Sequence, residues 1–402
     1  MRRVSYLSRL LGQLALIASL LLGLPLVGVI LAGKPLDLYL EFPPVTRYVE
    51  HAPFSWPFFL ATAVFIVGAV APLLIRVVTS RRGPIVPAGA TSAPDPSRFT
   101  LHAPPFTPDS SRLTPHAFPW WGWLGLGITG LDWVLAWNRF LWLGDLQSHT
   151  FTPLWIGYIL VMNALAYKRT GSCMMLGRPR YFLSLFLLSA AFWWFFEYLN
   201  RFVQNWYYVG AREFTATEYF WYATLPFSTV LPAILSTRDW LATYPRLSAG
   251  LDKCWPMQVG QPTLLGWIVL VLAGGGLMGI GIWPDYLFPL LWVSPLLIIT
   301  SLQAVSGEET IFSCIARGDW RPIWLPALAA LVCGFFWEMW NSKSLAHWEY
   351  AVPFVHHFQL FEMPLLGYAG YLPFGLECVV IAGLLPGGGG RVAGRPGAIS
   401  AQ

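Results

Sequence analysis

The sequence predicts an all-α, polytopic membrane protein of about ten transmembrane helices, eight of which form a four-helix unit repeated in tandem. Three observations carry this. There is a large apolar excess; long uncharged stretches recur along the chain; and four short motifs return in the same order in its second half.

Hydrophobic residues make up 56% of the 402 and charged residues 11%, more apolar surface than a soluble globule of this size can bury. Lipid is the solvent such a composition requires. Uncharged runs extend over Leu10 to Gly33, Ala52 to Ile75, Thr150 to Tyr167, Tyr181 to Phe196, Tyr219 to Thr237, Cys254 to Pro284, Tyr286 to Gly307, Pro322 to Trp337 and Met363 to Leu376. Each is near the roughly 17 to 25 residues needed to cross the hydrocarbon. Pro119 to Leu143 adds a span containing Asp132 and Arg139, and the last span continues past Glu377. The first run follows Met-Arg-Arg like a signal sequence, but it is longer than a typical signal core, which favours an uncleaved helix.

Lys and Arg in short loops resist export. Arg2, Arg3 and Arg9 precede the first span; Arg76, Arg81, Arg82, Arg98 and Arg112 follow the second; Lys168, Arg169, Arg178 and Arg180 follow the fourth. These loops and both termini are expected to be cytoplasmic, in the pattern of a bacterial-type inner-membrane protein. The net charge of +5 then follows from topology, and nucleic acid is not an expected partner. The bilayer is.

The chain divides into two N-terminal helices (1–79), a Pro/Ser/Thr-rich linker (80–118), a first repeat (119–237), a second repeat with its connecting loop (238–386) and a Gly-rich tail (387–402). Linker and tail have the composition of disordered segments. Phe151-Thr-Pro-Leu-Trp155 recurs as Phe288-Pro-Leu-Leu-Trp292, and Phe195-Phe-Glu-Tyr-Leu-Asn200 as Phe336-Trp-Glu-Met-Trp-Asn341. Asn205-Trp-Tyr-Tyr208 then matches His347-Trp-Glu-Tyr350, and Leu225-Pro-Phe227 matches Leu372-Pro-Phe374. Chance similarity between apolar helices gives one such match readily, but not an ordered set. An even number of spans per unit makes the repeat parallel, its axis along the membrane normal.

Four carboxyls are the candidate catalytic groups. Glu197 and Glu338 each stand three residues before an asparagine, Asn200 and Asn341, so carboxyl and amide share a helix face near one membrane interface. Trp194 and Trp337 lie beside them, and these asparagines and tryptophans are the candidate ligand contacts. A carboxyl among indoles can serve as an acid or base; equally, the pair can fasten the loop that follows, and retention in both copies favours fastening. Asp132 and Glu377 are not duplicated. Intramembrane carboxylates are costly and point to function, so these two are expected to face a cavity between the copies, unless Asp132 is simply paired with Arg139 two turns along.

His51, His149, His347, His356 and His357 fall in outer loops in no recognisable metal-binding spacing. Cys173, Cys254, Cys314, Cys333 and Cys378 include no Cys-x-x-Cys pair, and no metal site or cofactor is assigned. The Gly-rich stretch at Ala273 to Gly281 suits close helix packing. The 22 tryptophans exceed what interfacial belts need and suit a flat or polyunsaturated hydrophobic ligand. The readings open at this point are an enzyme or binding protein for a lipid or isoprenoid-type molecule, a transporter, and a non-catalytic subunit of a membrane complex. No motif diagnostic of a family is present.

In a cysteine-free background, a single cysteine at Ser97 should stay unlabelled by an impermeant maleimide in intact cells and be labelled once the membrane is opened. Labelling at 97 in intact cells would invert the topology.

Overall fold

The computed structural model describes residues 2–44, 46–80, 116–210 and 214–386. The expected linker, apart from Ser80 and residues 116–118, and the expected tail lie outside the described residues. The main helices are α1 (Arg2–Leu31), α2 (Trp56–Ser80), α3 (Trp120–Trp137), α4 (Phe151–Thr170), α5 (Pro179–Val203), α6 (Ala216–Phe227), α7 (Val230–Ala242), α8 (Pro262–Gly279), α9 (Ser294–Val305), α10 (Arg321–Asn341) and α11 (Tyr371–Ala382). Among the described residues, 7 helices are long and apolar enough to cross a membrane, or 8 if the pair Pro284–Trp292 and Ser294–Val305, bent by 55°, is one span. The chain is an all-α membrane protein.

Proline and capping chemistry place the helix starts. Proline occupies the first or second position of α5, α8, α9 and α10, where its missing N–H would have had no partner anyway. Thr215 and Glu218 form a reciprocal capping box at the start of α6, satisfying two donors that a helix start leaves open. The stretch expected as one span from Tyr219 to Thr237 is instead two helices, α6 and α7. Pro226 lacks an N–H for the ladder, and the break after Phe227 is tied by the Ser189 hydroxyl, which donates to the Phe227 carbonyl at 2.6 Å and accepts from the Leu231 N–H at 3.0 Å.

The centre is built from α4, α5, α7, α10 and α11. Leu154, Trp155, Phe196, Leu199, Leu231, Ile234 and Phe374 are fully buried there. Helices α3 and α8 flank it, packed on α4 and α9 respectively, and each leaves a lipid-facing side exposed (Leu131 and Val134; Val271 and Leu272). Close approaches rest on glycine. A Cβ at Gly28 would collide with the Met278 carbonyl where α1 crosses α8, and one at Gly375 would collide with the Pro326 carbonyl where α11 lies on α10.

Helix α2 is held mainly at its ends. At one, His51 Nδ1 meets Asp285 Oδ1 at 2.7 Å, the Ala52 N–H donates to Asp285 Oδ2 at 3.1 Å, and the Ser55 N–H donates to the Phe354 carbonyl at 2.9 Å. At the other, Arg76 donates to the carbonyls of Gly250 and Lys253 at 3.2 and 3.0 Å. Between these ties Val64, Phe65, Val67 and Ile75 stay exposed.

Gly375→Leu should destabilise the detergent-solubilised protein by about 1–3 kcal/mol, the usual penalty for overpacking. Gly130→Leu, where a Cβ meets nothing within 4 Å, should be close to neutral. Equal thermal unfolding midpoints for the two variants would refute the close α10–α11 contact.

Candidate functional site

Two short strands, β1 (Trp206–Val209) and β2 (His347–Tyr350), follow α5 and α10 and pair antiparallel. Their register sets Trp206 opposite Tyr350, Tyr207 opposite Glu349 and Tyr208 opposite Trp348. Exchanging the strands maps Trp206 onto Trp348 and Tyr208 onto Tyr350, so the ladder is twofold about the Tyr207–Glu349 pair. There the Tyr207 hydroxyl donates to Glu349 Oε2 at 2.5 Å. Burial, then this bond, pushes the Tyr207 hydroxyl pKa up to about 12.

The asparagines hold each strand to its helix. Asn200 Nδ2 donates to the Trp206 carbonyl at 2.8 Å, and its Oδ1 accepts from the Asn205 N–H at 2.8 Å. Asn341 Nδ2 donates to the Trp348 carbonyl at 2.7 Å, and its Oδ1 accepts from the Trp348 N–H at 2.8 Å. Each carboxamide helps to complete the main chain where the helix stops, and neither is among the residues lining the cavity described below.

Glu197 and Glu338, one turn earlier, are fully buried. Glu197 Oε1 accepts from Tyr208 at 2.6 Å and from the indoles of Trp193 and Trp206 at 3.1 Å each. Glu338 Oε1 accepts from Tyr371 at 2.6 Å and Tyr350 at 2.7 Å, and the Trp348 indole donates to the Tyr350 hydroxyl at 2.8 Å. The second oxygen of each carboxyl is buried without a partner among the described residues. Burial and the adjoining carboxyls raise the pKa of Tyr208 and Tyr350, in the strands, well above the ordinary value, which keeps them protonated donors.

Beneath the ladder lies a cavity of about 540 Å³, within the range of small-molecule sites. Both segments line it at matching places: Phe151 and Phe288, Trp206 and Trp348, Tyr208 and Tyr350, Pro226 and Pro373. Trp193, Trp292, Trp337 and Tyr371 add further aromatic surface, and Phe58, Phe65 and Ala69 of α2 close one side. Phe65 is 76% exposed, so this wall also forms part of the protein's outer surface. No Lys, Arg, Asp or Glu is among its lining residues.

Of the sequence-derived candidates, Trp337 lines the cavity; Glu197 and Glu338 stand behind its wall, one tyrosine hydroxyl away. Trp194 does not line it: its indole donates to Thr224 Oγ1 at 2.9 Å and its ring stacks on Phe220. Asp132 is half-buried on α3, away from the lining. The Arg139 partnership is absent: the guanidinium donates to the carbonyls of Ala136 and Lys343, each at 3.1 Å. The reason is that α3 ends at Trp137, so the helical spacing that set the two residues on one face does not reach Arg139. Glu377 is fully buried, and both of its oxygens lack partners among the described residues. It too does not line the cavity; Phe374, one turn nearer the ladder, is packed among Phe192, Phe196 and Trp292.

Sequence reasoning missed Tyr371, Asn205 and the whole α2 wall. Tyr208 and Tyr350 did carry a signal, since they recur within the duplicated Trp-x-Tyr motif. Tyr371 had none, because the corresponding first-segment residue is Thr224. Among the described residues no group of three or more His, Cys, Asp and Glu side chains gathers. Comparison with protein-family models, with curated proteins and with solved structures finds no match to this chain.

Glu338→Leu should lower stability more than Glu338→Gln. Leucine orphans the buried Tyr350 and Tyr371 hydroxyls at about 1–3 kcal/mol each, whereas the glutamine carbonyl still accepts from both. Indistinguishable melting curves would contradict the network.

Proposed function

We propose that this chain binds a hydrophobic lipid or isoprenoid-type ligand in the aromatic cavity beneath the β1–β2 ladder, admitted sideways from the bilayer beside α2. The single observation that carries the reading is the cavity itself, about 540 Å³ with aromatic walls drawn from both halves of the chain. Aromatic faces accommodate flat and polyunsaturated chains. Its α2 wall, with Phe65 also exposed on the outer surface, suits a ligand that arrives through lipid rather than through water.

Acid–base chemistry on that ligand falls to Glu338 and Glu197, acting through Tyr371, Tyr350 and Tyr208. A hydroxyl on the cavity wall that already donates to a carboxyl at 2.6–2.7 Å is positioned to relay a proton. Asp132 and Glu377 have no comparable route to the cavity.

The architecture behind the site is a ten-span chain in which 119–237 and 238–386 are parallel duplicates. The ordered motifs support this, as do two reciprocal contacts. Trp155 packs on Trp337 at 4.8 Å between ring centroids, and its counterpart Trp292 packs on Phe196, the counterpart of Trp337, at 5.0 Å. The inner membrane with cytoplasmic termini is the matching location: Arg76, Lys168, Arg169 and Arg178 follow the second and fourth expected spans, where positive charge resists export.

Organic extraction of the purified, detergent-washed protein should release one hydrophobic species in roughly stoichiometric amount, and Ala223→Trp, which fills the cavity from α6, should abolish its retention. A protein that retains nothing, or retains the same species after Ala223→Trp, defeats the proposal.

A further inference from the structure

Most donors on the cavity wall are already used. The hydroxyls of Tyr208, Tyr350 and Tyr371 donate to Glu197 and Glu338, and Tyr222 donates to the Ser148 carbonyl at 2.6 Å. Open and unused are the indole N–H groups of Trp292 and Trp337, which have no hydrogen-bond partner among the described residues although both side chains line the cavity. They differ from the indoles of Trp155 and Trp340, whose N–H groups are sealed in the packing without a partner; those of Trp292 and Trp337 are not sealed. The pyrrole ring of Trp292, which carries the N–H, is the part that faces Gly370, where an added Cβ would stand 3.9 Å from both Cγ and Cδ1. Gly370 lines the cavity as well. An indole N–H can only donate, and a tryptophan in an apolar wall normally finds an acceptor for it.

We infer that the ligand of this cavity is an uncharged lipid carrying a carbonyl, as a ketone or a quinone does, and that its oxygen accepts from the Trp292 indole N–H, with Trp337 as the second donor. The inference rests on the lipid-binding reading above and narrows it. A carbonyl only accepts, so it matches groups that only donate and brings no donor of its own into the wall. A hydroxyl accepts equally but must also place its O–H. An anionic head is disfavoured because no Lys or Arg lines the cavity, and a phosphate or carboxylate would be desolvated there without a countercharge. His347 lines the cavity too, but its Nδ1 is 3.3 Å from the Leu345 carbonyl and its Nε2 3.6 Å from Glu349 Oε1, so the imidazole is set against a carboxyl of the protein itself. A bare hydrocarbon would leave both indole groups unpaired, at a cost.

The test is native mass spectrometry of the full chain in detergent, incubated with farnesyl acetone, with the secondary alcohol formed by reducing it, or with the hydrocarbon of the same skeleton. These share one chain and differ only at one carbon. The ketone should be retained about tenfold better than the hydrocarbon, the effect of one good hydrogen bond, with the alcohol between them. Trp292→Phe combined with Trp337→Phe keeps aromatic faces but removes both N–H groups, and should bring the ketone-to-hydrocarbon ratio close to one. Trp155→Phe, which removes a sealed N–H, should leave the ratio unchanged. The ratio compares ligands of one shape on one protein, so a general loss of packing does not mimic the result, and the ranking on the parent chain tests the assignment even if the double variant does not fold. Hydrocarbon or alcohol retained as well as the ketone, or a preference that survives the double variant, would overturn the carbonyl assignment while leaving lipid binding intact. Failure of all three to bind would overturn both.

Discussion

Everything near the site depends on one hydrogen-bonded unit, the antiparallel pairing of β1 with β2. At a membrane-embedded helix end the last carbonyls and the next N–H groups have little water to turn to, and each one left open is expensive. Here the problem is met jointly. Asn200 and Asn341 each close the turn after their own helix, and the strands then satisfy one another across the boundary between the halves. A two-stranded ribbon alone is marginal in water. This one is stable because its side chains are also the donors to Glu197 and Glu338, so the ladder and the buried carboxyls support each other. Hydrogen bonds linked in this way in a low-dielectric interior strengthen one another.

The same arrangement explains why a cavity exists. Crossing from one half to the other, Trp155 with Trp337 and Trp292 with Phe196 act as two large spacers on either side of the ladder's axis. Rigid indoles hold the helices apart at that level, whereas glycine at positions such as 375 draws them together lower down. The space left between spacers and strands is lined by whatever the strands and the following turns present, and those residues are aromatic. Helix α2 covers it from the side with ties at its two ends, and side chains of this wall such as Phe65 are also exposed on the outer surface.

Much of the fold was legible in the chain because lipid imposes simple rules. Long uncharged runs become helices since no other open structure hides its backbone in hydrocarbon, and proline at 179, 262, 295 and 322 marks where helices begin. The Glu-x-x-Asn recurrence marked Glu197, Glu338, Asn200 and Asn341, whose side chains the structure buries at the ends of the two strand-bearing helices, since helical spacing alone puts carboxyl and amide on one face. Where the reading relied on a spacing that the helix does not sustain, it failed. The pairing of Asp132 with Arg139 assumed that α3 continued beyond Trp137, and the span from Tyr219 to Thr237 assumed that no break followed Pro226.

What the sequence by itself determined is therefore the membrane class, the existence of most helices and the placing of each recurring carboxyl–amide pair on one helix face, all of which follow from local composition and periodicity. Only the tertiary structure decided which carboxyls stand behind the cavity, because that depends on hydroxyls brought from distant segments: Tyr371 lies 33 residues from Glu338, and nothing in its own neighbourhood marks it. Likewise Asn205 is unremarkable as a loop residue until the ladder buries it, and α2 joins the site through contacts to residues more than 150 positions away. Burial and long-range hydrogen bonding belong to the packed chain, and no window along the sequence contains them.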